Sequence, residues 1–128
     1  MELKVKLYLT DEEGEKYMGI GVLWLLERVA EHGSLRKAAM SLGISYTKAL
    51  GMVQNLEEQL GMAVLHRRKG GSERGGATVT EFGAQFIEAY RIFDKEAKRA
   101  VEAPYARFLT AAAELIDRYD TEAEEEEG

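Results

Sequence analysis

The side chains able to do chemistry in this 128-residue chain gather in its middle third. Ser45-Tyr46-Thr47-Lys48 line up hydroxyls beside an ammonium, Arg36-Lys37 precede them, and Arg67-Arg68-Lys69 and Arg74 follow around a glycine-rich stretch. Residues 34–76 carry 7 basic and 3 acidic side chains, a net of +4, whereas residues 1–33 stand at −3 and residues 77–128 at −7. The overall charge of −6 therefore hides a positive segment between acidic flanks, the distribution of a localised anion-binding surface. Binding, not bond making, is the chemistry these residues can do. There is no cysteine, which excludes disulfides, zinc–thiolate sites, iron–sulfur clusters and cysteine nucleophiles. His32 and His66 have no spaced partners, and no triad, metal cluster or supported carboxylate pair can be assembled. Neither an enzyme nor a cofactor or metal is expected. The glycines of Gly70-Gly71-Ser72-Glu73-Arg74-Gly75-Gly76 suggest a phosphate cradle, but the Gly-Lys-Ser/Thr opening of a helix that such a cradle needs is absent.

The elements that must carry these residues follow from periodicity. Leu3–Leu9 alternates apolar and other residues as a strand does, and Thr10–Lys16 reads as a loop. From Gly21, the residues Val22, Leu25, Leu26 and Val29 form a helical stripe that ends at His32-Gly33. Ser34 can cap a second helix with Leu35, Ala38, Ala39 and Leu42 inward; Gly43 breaks it and Ile44 tucks under. Ser45 caps a third helix with Ala49, Val53, Leu56 and Leu60 inward, ended by Gly61. Two short helices joined by Leu42-Gly43-Ile44-Ser45 describe a helix-turn-helix, against the plainer alternative of a helical hairpin in a bundle. A strand over Val64–Lys69, the glycine loop and a returning strand Ala77–Val79 then read as a basic β-wing, which favours the helix-turn-helix. After a cap at Thr80, apolar residues recur at helical spacing from Phe82 to Tyr119. Pro104 should split this run into one helix of about 20 residues and another after it. So long a stripe exceeds what the small winged core can cover, so Phe86, Tyr90, Phe93, Tyr105, Phe108 and Leu115 are expected at a dimer interface, with intramolecular packing as the alternative.

The expected fold is mainly α with a small β-wing (α+β), a winged helix-turn-helix followed by long C-terminal dimerisation helices. Its parts are a winged domain over 1–80, a helical dimerisation region over 81–119 and an acidic tail over 120–128 expected to be disordered. No apolar run reaches the roughly 18 residues of a membrane span and no signal peptide is visible, which points to the cytoplasm.

Residues 21–83 resemble the DNA-binding domain of LysR-type regulators, and within that superfamily the ModE branch. Leu26-Glu27-x-Val29-Ala30-Glu31-His32-Gly33-Ser34-Leu35-x-x-Ala38-Ala39-x-x-Leu42-Gly43-Ile44-Ser45 follows the general LysR pattern, continued by Leu56-Glu57-Glu58-Gln59-Leu60-Gly61-Met62 and Val64-Leu65-His66-Arg67. Ser45-Tyr46-Thr47-Lys48-Ala49, the glycine-rich wing and Ala77-Thr78-Val79-Thr80-Glu81-Phe82-Gly83 resemble ModE in particular. Leu50 stands where ModE proteins commonly have tryptophan. The resemblance implies DNA binding and dimerisation. It does not imply molybdate sensing, because the paired oxyanion-binding modules of full-length ModE have no counterpart in these 128 residues.

A recognition helix presents its first turns to the major groove. Here these are Ser45, Tyr46, Thr47 and Lys48, then Gly51, Met52 and Asn55. Tyr46 and Thr47 can contact thymine methyls, and Asn55 can pair with adenine. Lys48, Arg36 and Lys37 suit phosphates, as do backbone amides at the helix starts after Ser34 and Ser45. Arg67, Arg68, Lys69 and Arg74 would follow the backbone, with Arg74 at the wing tip able to enter a minor groove. Duller roles compete: Ser45 as a cap alone, Tyr46 packed on the domain, Arg67 paired with Glu57 or Glu58. The function expected is a sequence-specific, homodimeric regulator bound to double-stranded DNA, with an architectural DNA-binding protein or a winged-helix protein–protein module as the alternatives.

Overall fold

The computed structural model describes residues 2–67 and 76–127. In chain order the elements are β1 (Tyr8–Thr10), β2 (Lys16–Gly19), α1 (Ile20–His32), α2 (Leu35–Ser41), α3 (Tyr46–Leu60), β3 (Leu65–Arg67), β4 (Ala77–Val79), α4 (Glu81–Ala100) and α5 (Glu102–Glu127). The chain divides into two compact units, one over Lys6–Ile92 and one from Met1–Val5 with Phe93–Gly128.

Local signals start α2 and α3 and stop α1, α2 and α3. The Ser34 hydroxyl accepts the Lys37 amide and the Ser45 hydroxyl the Lys48 amide, each at 3.1 Å. Each satisfies an N-terminal N–H that has no partner inside its helix. Between them Gly43 turns at φ 70°, a left-handed conformation that costs a side-chain-bearing residue about 1–2 kcal/mol. The Ile44 amide then donates back to Ala39 O at 3.1 Å, which folds α3 against α2. Leu25, Leu26 and Val29 of α1, Leu35, Ala38 and Ala39 of α2, and Ala49, Val53 and Leu56 of α3 are all buried. Burying each large aliphatic side chain contributes roughly 1.5–3 kcal/mol. The small Ala38 and Ala39 let α2 sit close to its neighbours.

The β3–β4 ribbon closes this core. Its strands are antiparallel, with Leu65 opposite Val79, His66 opposite Thr78 and Arg67 opposite Ala77. The Ala77 amide donates to Gly33 O at 2.8 Å, which ties β4 to the end of α1. Thr80 is a buried junction: its hydroxyl donates to Ala63 O at 2.8 Å and accepts from the Gly83 amide at 2.9 Å. α4 comes so close here that a Cβ on Gly83 would stand 2.6 Å from Val64 O and 3.0 Å from Val79 Cγ1.

Two expectations at the N-terminus are corrected. The N-terminal strand is Tyr8–Thr10, not Leu3–Leu9, because a strand extends only where it has a partner. That partner is β2, within and beyond the stretch read as a loop; Asp11 Oδ1 accepts the Glu13 and Glu15 amides at 2.8 and 2.9 Å and closes the turn between them. The first compact unit extends to Ile92, since the first turns of α4 complete the winged core through buried Gly83, Ile87 and Tyr90. Finally, residues 120–127 continue α5 as helix. Alanine and glutamate are good helix formers, and extending an existing helix needs no new nucleus.

The Tyr90 hydroxyl donates to Leu7 O at 2.8 Å, and Arg91 reaches Glu27 at 2.7 Å and Glu88 at 3.1 Å. The Glu27 hydrogen bond, opposed by burial and aided by Glu88, holds the Arg91 guanidinium above its ordinary pKa. In the second unit, α4 ends after 20 residues and Val101 separates it from α5. Pro104 lies in the first turn of α5, where a missing N–H removes no intrahelical bond. Among the described residues no helix is long and apolar enough to cross a membrane.

The contact under Gly83 makes a direct prediction. Gly83→Ala should lower stability by about 1–3 kcal/mol through overpacking, read as a lower urea midpoint at unchanged slope. An unchanged midpoint would show that α4 does not approach β3 this closely.

Candidate nucleic-acid interface

α3 turns 100° per residue, so its faces can be read from its neighbours. Ala49, Val53 and Leu56 point into the core. On the opposite line Thr47, Gly51, Gln54 and Glu58 are exposed. Between core and solvent run two flanks, one carrying Tyr46, Leu50 and Glu57, the other Lys48, Met52 and Asn55.

Each flank is tied to a different hairpin. On the first, Glu57 Oε2 accepts the Val64 amide at 2.8 Å and the Leu65 amide at 3.3 Å, anchoring the entry to β3. On the second, Asn55 Nδ2 donates to Lys16 O at 3.0 Å, anchoring β2. Positions 55 and 57 lie about 200° apart around the helix, so the β1–β2 and β3–β4 hairpins brace α3 from opposite sides. The brace leaves one exposed line free to meet a partner.

The expected site residues divide accordingly. Thr47 and Lys48 are exposed at the start of α3, and Arg36 and Lys37 are exposed on α2. The Arg36 guanidinium sits 4.4 Å from the centroid of the half-buried Tyr46 ring, which joins the two helices at the mouth of the motif. Ser34 and Ser45 both cap helices; Ser34 is buried, Ser45 exposed. Arg67 is exposed at the end of β3 and forms no ion pair among the described residues, and Glu57 is engaged with backbone amides instead. Arg68, Lys69 and Arg74 lie outside the described residues.

Asn55 is half-buried, and its side-chain amide donates to Lys16 O. Its neighbour Gln54 is exposed on the same line as Thr47 and Gly51, a placement that its spacing from them carries in the sequence. Two of the expected dimer residues pack within the first unit. Tyr90 is 4% exposed and holds Leu7, and Phe86 stacks on Phe82 at 6.2 Å against the core of the first unit. In the second unit Phe108, Leu115, Ile116 and Tyr119 are exposed, Phe108 by 59%. Among the described residues no group of acidic or histidine side chains could hold a metal ion. An exposed helix line rimmed by cations, with hydroxyl and amide groups on it, can bind an anionic polymer and read its hydrogen-bonding edges.

Comparison with known proteins agrees with this geometry. The chain is 33% identical over 94 residues to the molybdenum-pterin-binding protein MopB of Rhodobacter capsulatus, covering 73% of this chain and 32% of that protein. It is 28% identical over 78 residues to the DNA-binding transcriptional dual regulator ModE of Escherichia coli K12, covering 61% and 30%. The chain thus spans about a third of the length of the curated relatives it matches. The crystal structure of the CbnR_DBD–DNA complex is similar at a TM-score of 0.55 and 29% identity, covering 70% of this chain and 97% of that one. The model of the bacterial regulatory helix-turn-helix proteins of the lysR family matches residues 21–84, half of the chain, and the chain belongs to that family.

Proposed function

We propose that this chain is a sequence-specific DNA-binding transcriptional regulator that works as a homodimer in the cytoplasm. The observation that carries the reading is the exposed line Thr47, Gly51 and Gln54 on a helix capped at its start and braced on both flanks. Its family, and its likeness to a domain solved on DNA, support the same reading. The first turns of α3 enter the major groove. The Thr47 methyl meets a thymine methyl, and the Gln54 amide can pair two-pronged with adenine. Lys48, Arg36 and Lys37 contact phosphates, with Ser34 and Ser45 presenting helix-start amides. Arg67, with Arg68, Lys69 and Arg74, follows the backbone beyond the recognition helix, and Arg74 enters a minor groove.

The exposed apolar residues of α5 supply the surface for a second copy. Phe108 and Leu115 are seven residues apart, two helical turns, and so lie on one face. Together with Phe93 and Tyr105 they form the proposed dimer contact. A two-fold dimer places its recognition helices on half-sites about one DNA turn apart, which gives a pseudo-palindromic operator.

Selection from a random duplex library should return such a pseudo-palindrome; recovery of unrelated sequences would instead identify an architectural protein, and no complex at low salt a protein–protein module. Thr47→Ala or Gln54→Ala should each cost roughly 1–3 kcal/mol at one base position and relax preference there. Asn55→Ala should lower stability by about 1 kcal/mol and leave the preferred sequence intact. Neutralising Arg67 and Arg68 together removes four cations from the dimer and should weaken binding to every sequence and flatten the salt slope by about 3.6; an unchanged slope removes the wing from the interface. Phe108→Asp with Leu115→Asp should yield monomers in sedimentation, and a persisting dimer would place the contact elsewhere.

A further inference from the structure

On the flank of α3 away from β3–β4, the β1–β2 hairpin, the start of α1 and α3 enclose an open groove of about 480 Å³. Buried Met18 lies at its base, and Val22 and Met52 add apolar walls. Its charged lining residues are Lys16, from β2, and Lys48, from α3, with no carboxylate among them. Gly51 also lines it, which makes the groove continuous with the exposed line of α3. The Lys16 ammonium is held 4.2 Å from the centre of the Tyr8 ring.

We infer that this groove receives one strand of the DNA backbone, so that the β1–β2 hairpin is a second clamp on the side of α3 opposite the wing. The inference rests on the DNA-binding reading above. Charge complementarity selects the occupant: two ammonium groups with no opposing acid call for an anion, and the apolar walls suit deoxyribose carbons between phosphates. Stacking on Tyr8 orients the Lys16 head group in advance, which reduces the rotamer entropy lost on binding. Charge also sets where the strand must leave. Beyond Lys16, the hairpin tip presents Asp11, Glu12 and Glu13 beside Glu58 and Gln59 at the other end of α3. The strand therefore passes the N-terminal half of α3 and is turned away from the C-terminal half.

The test is a salt titration of duplex binding between about 50 and 300 mM, comparing the wild type with Lys16→Ala and Lys16→Arg. Asn55 bonds the backbone carbonyl of residue 16, so neither substitution removes that tie, and a thermal melt checks the fold. Lys16→Ala removes one contact from each protomer of the dimer, so it should lower the salt slope by about 1.8 and weaken binding roughly ten- to a hundredfold near 0.1 M salt, equally for all sequences. Lys16→Arg should keep the wild-type slope. Superimposable slopes for Lys16→Ala and the wild type overturn the clamp while leaving the DNA-binding reading intact; absence of any wild-type complex at low salt removes both. Saturable binding of 2-naphthoate in the groove, with the slope unmoved by Lys16→Ala, would reassign it to a small aromatic anion.

Discussion

A single stripe of α3, made of Ala49, Val53 and Leu56, is sealed against α1 and α2, and the geometry of the interface depends on that seal. A helix with one face immersed in a close-packed core cannot roll, because each side chain is fitted to its neighbours. Fixing the buried face fixes the opposite one, so the outward direction of Thr47, Gly51 and Gln54 is decided by residues that never meet a partner. Ala38 and Ala39 contribute by being small, since a larger residue there would push α2 outward and tilt α3 with it.

Glu57 and Asn55 reinforce the seal from both sides with hydrogen bonds to opposite hairpins. A hydrogen bond to a charged group contributes about 1.5–3 kcal/mol and a neutral one about 1 kcal/mol. These bonds act on orientation at least as much as on stability. The short sheets of this domain therefore serve as braces for a helix, and their strands need be no longer than the bonds they present.

Much of this was legible in the sequence wherever the signal was local. Caps at Ser34 and Ser45, stops at Gly33, Gly43 and Gly61, and a 3.6-residue apolar period locate three helices almost to the residue. What was missed depended on distant partners. Asn55 and Gln54 differ by one position, which is 100° of rotation, and only the presence of β2 beside Asn55 makes it the internal one. Lys16 reads as the end of a loop until the Asp11 turn brings residues 16–19 against β1. Tyr90 continues the apolar stripe of the C-terminal helices smoothly, and nothing along the chain marks that its hydroxyl is held by Leu7. The acidic end of α5 has no apolar partner to signal order, and its helix follows from propagation along α5.

Gly51 carries a different kind of consequence. It stands in the middle of a 15-residue helix, on the exposed line, and nothing lies within 4 Å of where its Cβ would be. A glycine there costs the helix roughly 0.5–1 kcal/mol relative to alanine, so almost any replacement would strengthen the scaffold. The position is thus an evolutionary degree of freedom: a side chain can be introduced on the exposed face, and the chemistry of that face altered, without passing through a less stable intermediate.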